Sequence, residues 1–230
     1  ILMASFVVVP LLLRDAGLEG GHHWMVYLPV LVTSMACIIP FIIIAEKKRQ
    51  MKKVFLAAIA TIAIANLGFV LLHGQLIGLI ACLWLFFCGF NLLEATLPSL
   101  ISKTAPGDLK GTAMGIYSSA QFIGAFLGGA AGGWVYGEWG AGSVFLFSVV
   151  IAMSWLVIAA FMSTPRYWAN FLLSLQNVKI EQSEHFSRQL LAITGVEEVR
   201  LHFEEQAAYL KIDSQQLDKD ALNDFLKQWQ

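Results

Sequence analysis

The sequence carries little charge. Charged residues make up 13% of the 230 residues, whereas hydrophobic residues make up 57%. Soluble domains carry roughly 25% charged residues, so the composition excludes an ordinary soluble protein. It predicts a chain that lies mostly within a membrane, with lipid around it.

Cysteine and the usual catalytic motifs are also scarce. Cys37, Cys82 and Cys88 fall in apolar segments, without a CxxC spacing or a neighbouring histidine pair. We expect small core residues rather than metal ligands or a disulfide framework. The sequence has no paired nucleophile and base, no cluster of metal ligands and no phosphate-binding loop. We therefore expect no enzymatic activity, no cofactor and no metal.

The charge that is present is divided between two parts of the chain. Residues 1–176 hold 9 basic and 6 acidic residues, and residues 177–230 hold 6 basic and 10 acidic residues. The second part is therefore acidic. An acidic domain is a poor partner for the phosphates of nucleic acid, so we expect no nucleic-acid binding.

Long apolar runs fill the first part. About 20 apolar residues cross the ~30 Å hydrocarbon layer of a bilayer. Residues 1–13 predict the outer end of a spanning helix. Residues 1–163 are thus predicted to form a transmembrane bundle, with five further spans at 24–45, 54–72, 76–101, 112–136 and 143–163.

The basic residues indicate how the bundle is oriented. Eight of them lie in one alternate set of loops, together with the segment after the last span, and only Arg14 lies in the opposite set. Basic residues accumulate on the cytoplasmic side of membrane proteins. The run 47–53 and everything after Ser163 are therefore predicted to be cytoplasmic.

Glycine is concentrated in one span. Ten of the 19 glycines lie between Gly111 and Gly142. Small residues let helices approach closely in a bilayer, and a spacing of four places residues on one helix face. We predict a helix-packing seam, either a generic contact or one that opens and closes during a transport cycle. Its residues are Gly124, Gly128, Gly132, Gly129 and Gly133.

Residues 164–176 are predicted to link the bundle to a second domain. Trp168, Phe171, Leu172 and Leu175 have helical spacing in a segment too short to span a membrane. This pattern favours an amphipathic helix that lies at the membrane surface.

Residues 177–230 are predicted to form a small α+β domain. Apolar residues alternate near 178–180, 199–203 and 210–212, and helices are predicted to start at Ser183 and Asp218. The order β-α-β-β-α is that of a ferredoxin-like unit without its last strand. A unit this small is marginally stable alone. We therefore expect a regulatory domain or a dimerising one, through which two copies of the chain form a homodimer. A mere folding appendage is the alternative.

The topology of this domain resembles that of heavy-metal-associated domains. Those domains carry paired cysteines where residues 181–185 of this chain read Glu-Gln-Ser-Glu-His. Without thiolates the resemblance implies no soft-metal site.

Three stretches of the first part resemble the second half of a major facilitator superfamily transporter. The loop at 45–53 is similar to the acidic-then-basic signature of that superfamily. Residues 90–99 with 109–115 are similar to helices ten and eleven of drug/proton antiporter-type members, and the glycine stretch is similar to the antiporter signature. With a cytoplasmic ferredoxin-like domain attached, the combination resembles the YajR-type inner-membrane transporters.

The resemblance implies a twelve-helix, all-α membrane fold in two bundles that rock about a central site, giving alternating access. The chain would supply helices seven to twelve, with helix seven truncated, and its partner would be the N-terminal half. Proton-coupled export of a lipophilic or drug-like small molecule is then expected. The alternative is a membrane-embedded sensor that signals to its cytoplasmic domain.

Glu94 is the main candidate for chemistry, because it is the only charged residue inside a predicted span. It could bind protons, or it could form an ion pair or bond to the loop near 103–110. Asn91 lies on the same helix face. Gln121, Tyr117 and Asn66 are further substrate candidates, each of which could equally hydrogen-bond a neighbouring helix.

The resemblance also implies two conformational latches at the cytoplasmic entrance. Gly111 and Thr112 begin helix eleven, whose positive end attracts a carboxylate of the N-terminal half. Glu46 would play the matching part toward helix five.

Overall fold

The structure is a computed structural model that describes residues 1–105, 109–162, 169–174, 183–203, 206–213 and 216–229. The chain divides into two compact units, Ile1–Pro165 and Arg166–Gln230.

The described residues of the first unit form six α-helices, in agreement with the six apolar runs of the sequence. They are α1 (Leu2–Asp15), α2 (Trp24–Lys47), α3 (Met51–Leu72), α4 (Leu76–Thr104), α5 (Lys110–Trp139) and α6 (Ala141–Ala160), with a 3₁₀ turn at Gly20–His22 before α2. The predicted all-helical class of this part is confirmed.

Four segments are long and apolar enough to cross a membrane: Gly20–Lys47, Met51–Leu72, Leu76–Thr104 and Ala141–Ala160. Helix α1 has 14 residues and is shorter than the roughly 20 residues needed to cross a membrane. Helix α5 has 30 residues but falls outside the set, because eight of its residues are glycine and add little hydropathy.

The core of the first unit is built around α3, which packs against α4 and α6. Phe69 of α3 is fully buried and stacks on Phe145 of α6, with ring centroids 4.7 Å apart. Stacked aromatic rings in such contact add to the stability gained from burial. Helices α3, α4 and α6 therefore form the tightly packed side of the bundle.

The second unit contains β1 (Ala169–Ser174), α7 (Ser183–Leu191), β2 (Val196–His202), β3 (Ala207–Ile212) and α8 (Lys219–Trp229). The order β-α-β-β-α is as predicted. The sheet order is β1-β3-β2, with both neighbours antiparallel to β3. Strands β1 and β2 are thus parallel to each other and separated by β3, which is a split β-α-β arrangement.

The first strand is not where the sequence predicted it. Ala169–Ser174 forms β1, so the prediction of an amphipathic helix for this part of 164–176 is wrong. Over six residues helical and alternating patterns are hard to distinguish. The segment forms a strand because it pairs with β3 and buries Leu173, which lies opposite Ala208. The strand predicted at 178–180 lies outside the described residues.

The core of the second unit lies between the sheet and its helices. Phe186 of α7 and Phe225 of α8 are buried with ring centroids 5.1 Å apart, next to Leu210 of β3. The predicted start of the last helix is confirmed, because the Asp218 carboxylate accepts bonds from the N–H groups of Asp220 and Ala221. Such a side chain satisfies donors that have no partner within the helix.

Candidate functional site

Glu94 joins α4 to α5. Its Oε1 accepts a hydrogen bond of 2.7 Å from Nε2 of Gln121. The sequence left open a bond to the loop near 103–110, but the structure gives Lys103 a different partner, Glu46. In the described part of the chain, the contact of Glu94 is therefore an amide on the neighbouring helix.

Two pockets meet at Glu94. The smaller, of about 300 Å³, lies between α1, α4 and α5 and is lined by Ile1, Leu2, Met3, Phe90, Glu94, Gln121, Phe122, Gly124 and Ala125. The larger, of about 520 Å³, lies between α2 and α4 and is lined by Met35, Ala36, Ile38, Ile39, Ile42, Asn91, Glu94 and Ala95. Apolar pockets with a few polar groups are the usual form of small-molecule sites.

Asn91 borders the larger pocket and is held by α2. Its Nδ2 donates to Oγ of Ser34 at 3.0 Å, and Ser34 in turn donates to the carbonyl of Leu31 at 2.9 Å. About two helix turns earlier on α4, Trp84 Nε1 donates to Thr33 Oγ1 at 3.1 Å. Polar contacts thus tie α2 to α4 beside the pocket and orient Asn91.

Tyr117 precedes Gln121 by four residues and therefore shares its helix face. Its hydroxyl is buried and has no hydrogen-bond partner among the described residues. Tyr117 is thus a buried donor on the same face of α5 as Gln121.

Asn66 lies away from both pockets. It is fully buried in α3, its Nδ2 donates to the Ile62 carbonyl at 2.8 Å, and its Oδ1 accepts from Ser5 of α1 at 3.4 Å. These bonds fit the alternative that Asn66 hydrogen-bonds a neighbouring helix, and its role as a substrate candidate stays a prediction. The sequence shows a polar residue in a span but not which way it faces.

Glu46 is engaged within the bundle. It accepts a bond of 2.9 Å from Ser99 Oγ and forms an ion pair with Lys103, both on α4. The partners predicted for it lay in another half of the protein. Nearby, Lys52 Nζ donates to the Ala160 carbonyl at 2.9 Å and ties α3 to the end of α6. The sequence did not indicate this contact.

Gly111 and Thr112 occupy the first turn of α5 and are exposed. A Cβ at Gly111 would meet no atom within 4 Å. Their assignment as a latch stays a prediction.

The glycine seam has two different faces. A Cβ at Gly132 would lie 2.6 Å from the Cα of Ala4, so α5 packs closely on α1 there. Gly128 and Gly129 also face α1, at 3.7 and 3.8 Å, whereas Gly124 and Gly133 face open space. Part of the predicted seam thus packs on α1 as a helix contact, and whether the seam opens and closes stays a prediction.

The second unit contains a charge network around Glu198. Lys211 Nζ and Arg200 Nε lie 2.6 and 2.5 Å from the two oxygens of Glu198. Hydrogen bonds from Lys211 and then Arg200 hold the pKa of Glu198 below its ordinary value. Within the described ranges, no three histidine, cysteine or acidic residues are grouped so as to hold a metal ion.

Comparison with known proteins decides the family. Residues 1–171 match the Major Facilitator Superfamily profile, and residues 177–228 match that of the YajR YAM domain. The chain belongs to the Major Facilitator Superfamily. This confirms the resemblance drawn from the sequence.

Two relatives carry transport names. The chain is 39% identical to the inner membrane transport protein YajR of Escherichia coli (strain K12) over 228 residues, which is 99% of the chain and 50% of that protein. It is 31% identical over 128 residues, 56% of the chain, to an uncharacterized transporter of Buchnera aphidicola, covering 33% of that protein. The chain thus spans about half the length of the first relative and less of the second.

Proposed function

We propose that the chain is the C-terminal half of a secondary transporter that works by alternating access. The observation that carries this proposal is the position of Glu94 at the junction of two pockets, bonded across helices to Gln121. An ionisable residue within a membrane span is costly and marks a transport or proton pathway. The names of the relatives support the same class of protein.

Export coupled to inward proton flow is the mode we propose. A proton on the other oxygen of Glu94 leaves Oε1 as an uncharged acceptor, so the bond from Gln121 Nε2 loses its charge assistance and weakens. Protonation of Glu94 thus alters the contact between α4 and α5.

The cargo we propose is a lipophilic or drug-like small molecule. Apart from Glu94, Gln121 and Asn91, the side chains that line the two pockets are apolar or aromatic. Such walls favour apolar surface over a sugar or an inorganic anion, which would need more polar partners.

The remaining partners follow from the same proposal. The N-terminal half of the transporter completes the site and the second set of latches. The C-terminal unit is cytoplasmic in this proposal, and it regulates or dimerises the transporter. Its role is independent of the pocket.

Reconstituted vesicles test the proposal. The full-length protein that contains this chain is placed in proteoliposomes with an imposed pH gradient, and a panel of lipophilic fluorescent dyes is added. We expect dye movement driven by the gradient, accompanied by proton movement in the opposite direction. A membrane sensor would change its cytoplasmic domain without moving dye or protons, and that result would contradict the proposal.

A further inference from the structure

A short basic turn, residues 47–53, joins α2 to α3 at one end of the bundle. Helix α2 ends at Lys47 and α3 begins at Met51, and five of the seven residues of the turn are lysine or arginine. Three of its lysines are exposed and make no ion pair or hydrogen bond within the described part of the chain: Lys47, Lys48 and Lys53. So short a connection keeps their charges close together.

The neighbouring carboxylate does not neutralise the basic turn. Glu46 precedes it directly and is the one acidic residue at positions 45–53. Its oxygens accept a hydrogen bond from Ser99 and form the ion pair with Lys103, both on α4. The exposed lysines therefore carry positive charge that no acidic side chain of their own segment balances.

The basic turn has a fixed conformation. Arg49 has a φ of 51°, in the left-handed region that residues other than glycine rarely adopt. Met51 is fully buried in the bundle, and Lys52 Nζ donates to the Ala160 carbonyl of α6 at 2.9 Å. Basic residues that only orient a membrane protein need charge on one side of the membrane, whereas this turn also holds its charges in a defined place.

An exposed apolar surface lies next to the basic turn. The bond to Ala160 places the end of α6 beside it, and there Ile158 and Phe161 are 71% and 86% exposed. Further along the same pair of helices, Phe55 of α3 contacts Trp155 of α6, with ring centroids 5.8 Å apart. Positive charge and lipid-facing apolar side chains thus adjoin at this end of α3 and α6.

We infer that the basic turn binds an anionic membrane lipid whose headgroup carries two phosphates, as in cardiolipin. Clusters of basic residues immediately outside a span attract such headgroups. One phosphate lies at Lys47 and Lys48 and the other at Lys53, and the acyl chains lie along the exposed end of α6. Two phosphates on one headgroup match charges on both sides of the turn, which a single phosphate does not. This site is separate from the pockets at Glu94 and goes beyond the proposed transport function.

Lipid binding tests the inference directly. The full-length protein in detergent is titrated with lipid, and native mass spectrometry measures the apparent dissociation constant of the first lipid bound. The probes are cardiolipin, phosphatidylglycerol with one phosphate, and phosphatidylcholine with no net charge. We expect the affinity to fall in that order, and the affinity for cardiolipin to fall as salt is added. Cardiolipin bound no more tightly than phosphatidylglycerol would overturn the inference.

A triple variant locates the charge that is responsible. Lys47→Gln, Lys48→Gln and Lys53→Gln are combined, which leaves Arg49 and Lys52 of the turn in place. Each basic residue near an anionic lipid contributes roughly fivefold in affinity, so we expect cardiolipin to bind at least about tenfold more weakly. The same three lysines changed to arginine keep the charge and should keep the binding. Melting temperature and monodispersity show that each variant is folded.

The matched control removes three basic charges elsewhere. Arg14→Gln, Lys219→Gln and Lys227→Gln are exposed positions outside the basic turn, and together they should change cardiolipin binding by less than about twofold. Cardiolipin binding that survives in the folded triple variant of the turn would overturn the inference. An equal loss in the control would show general attraction by net charge and would also overturn it.

Two further measurements separate a lipid from a soluble anion. Phe161→Ser should weaken cardiolipin binding severalfold, because it removes an apolar contact of the acyl chains, whereas Phe126→Ser on α5, also exposed, should not. Equilibrium dialysis with pyrophosphate, which has two phosphates and no acyl chain, should show no saturable binding. Pyrophosphate that binds as tightly as cardiolipin would identify a site for soluble phosphates and would contradict the inference.

Discussion

Helices α3 and α5 are the two extremes of the bundle. Ten of the 22 residues of α3 are buried, whereas only Gly132 and Val135 are buried among the 30 residues of α5. Helix α3 packs between α4 and α6, whereas α5 packs mainly on α1 and makes few contacts with α4 and α6. One side of the bundle is thus stabilised by tight packing, whereas the side of α5 is exposed and open to a ligand or to further helices.

The same division separates the polar residues. Asn66 of α3 is sealed between helices, and Gln121 of α5 is exposed at a pocket with its amide on Glu94. Both are uncharged amides within apolar helices. Position in the bundle, rather than residue type, decides which of them lines a pocket.

The largest expected effect compares two phenylalanines. Phe69→Ala removes a fully buried ring from α3 and should lower the free energy of unfolding by about 3–5 kcal/mol. Phe126→Ala on α5 removes a ring that is 74% exposed and should change it by less than about 0.5 kcal/mol. Thermal unfolding of the full-length protein in detergent measures both. Equal losses of unfolding free energy in the two variants would contradict the difference in packing between α3 and α5.

The second largest expected effect compares two adjacent glycines of α5. Gly132→Ala places a methyl group 2.6 Å from the Cα of Ala4, so α1 and α5 must move apart. Overpacking of this kind costs about 1–3 kcal/mol, and we expect a lower melting temperature. Gly133→Ala meets no atom within 4 Å and is the matched control. A harmless Gly132→Ala would show that the contact with α1 is not close.

Substitution of the two amides should have smaller effects, on stability at Asn66 and on transport at Gln121. Asn66→Leu breaks the bond with Ser5 and should lower stability by roughly 0.6–2 kcal/mol, with transport by the folded fraction unchanged. Gln121→Leu should lower transport and leave the melting temperature within a degree or so, since Gln121 is exposed. Both quantities are measured on the same purified samples. Reversed results would exchange the roles assigned to the two positions.

The smallest effect concerns the second unit. Because the pKa of Glu198 is lowered in the folded state, its stabilisation is present above the ordinary carboxyl pKa of about 4.3. It is lost as the pH falls through the lowered pKa. Lys211→Met should weaken this acid dependence. Hydrogen exchange of β2 and β3 between about pH 6 and pH 3 measures it, after correction for the intrinsic rates. An acid dependence unaltered by Lys211→Met would show that the network adds nothing.

Much of the membrane part could be predicted because spans are long and nearly free of charge. The same contrast singled out Glu94, the one charge within a span. Its partner Gln121 was named as a candidate, but not the bond between them, which depends on how α4 and α5 face each other. The bonds of Ser34 to Asn91 and of Ser5 to Asn66 are invisible in the sequence for the same reason.

The failures have local physical causes. The segment 169–174 is too short for its pattern to separate helix from strand, and pairing with β3 decides. The glycine rows show that α5 can be approached closely, but they do not say by which helix. At Gly132 the neighbour is α1.

The most direct test of the account is proton movement through the Glu94→Gln variant. The control is Glu138→Gln, which changes a carboxylate at the far end of α5 that lines neither pocket. In proteoliposomes of the full-length protein, wild type and this control should move protons when a transported dye is supplied. Glu94→Gln should lose this movement while remaining folded. Proton movement by folded Glu94→Gln at the wild-type rate would contradict the central claim that this carboxylate, at the junction of α4 and α5, carries the coupling.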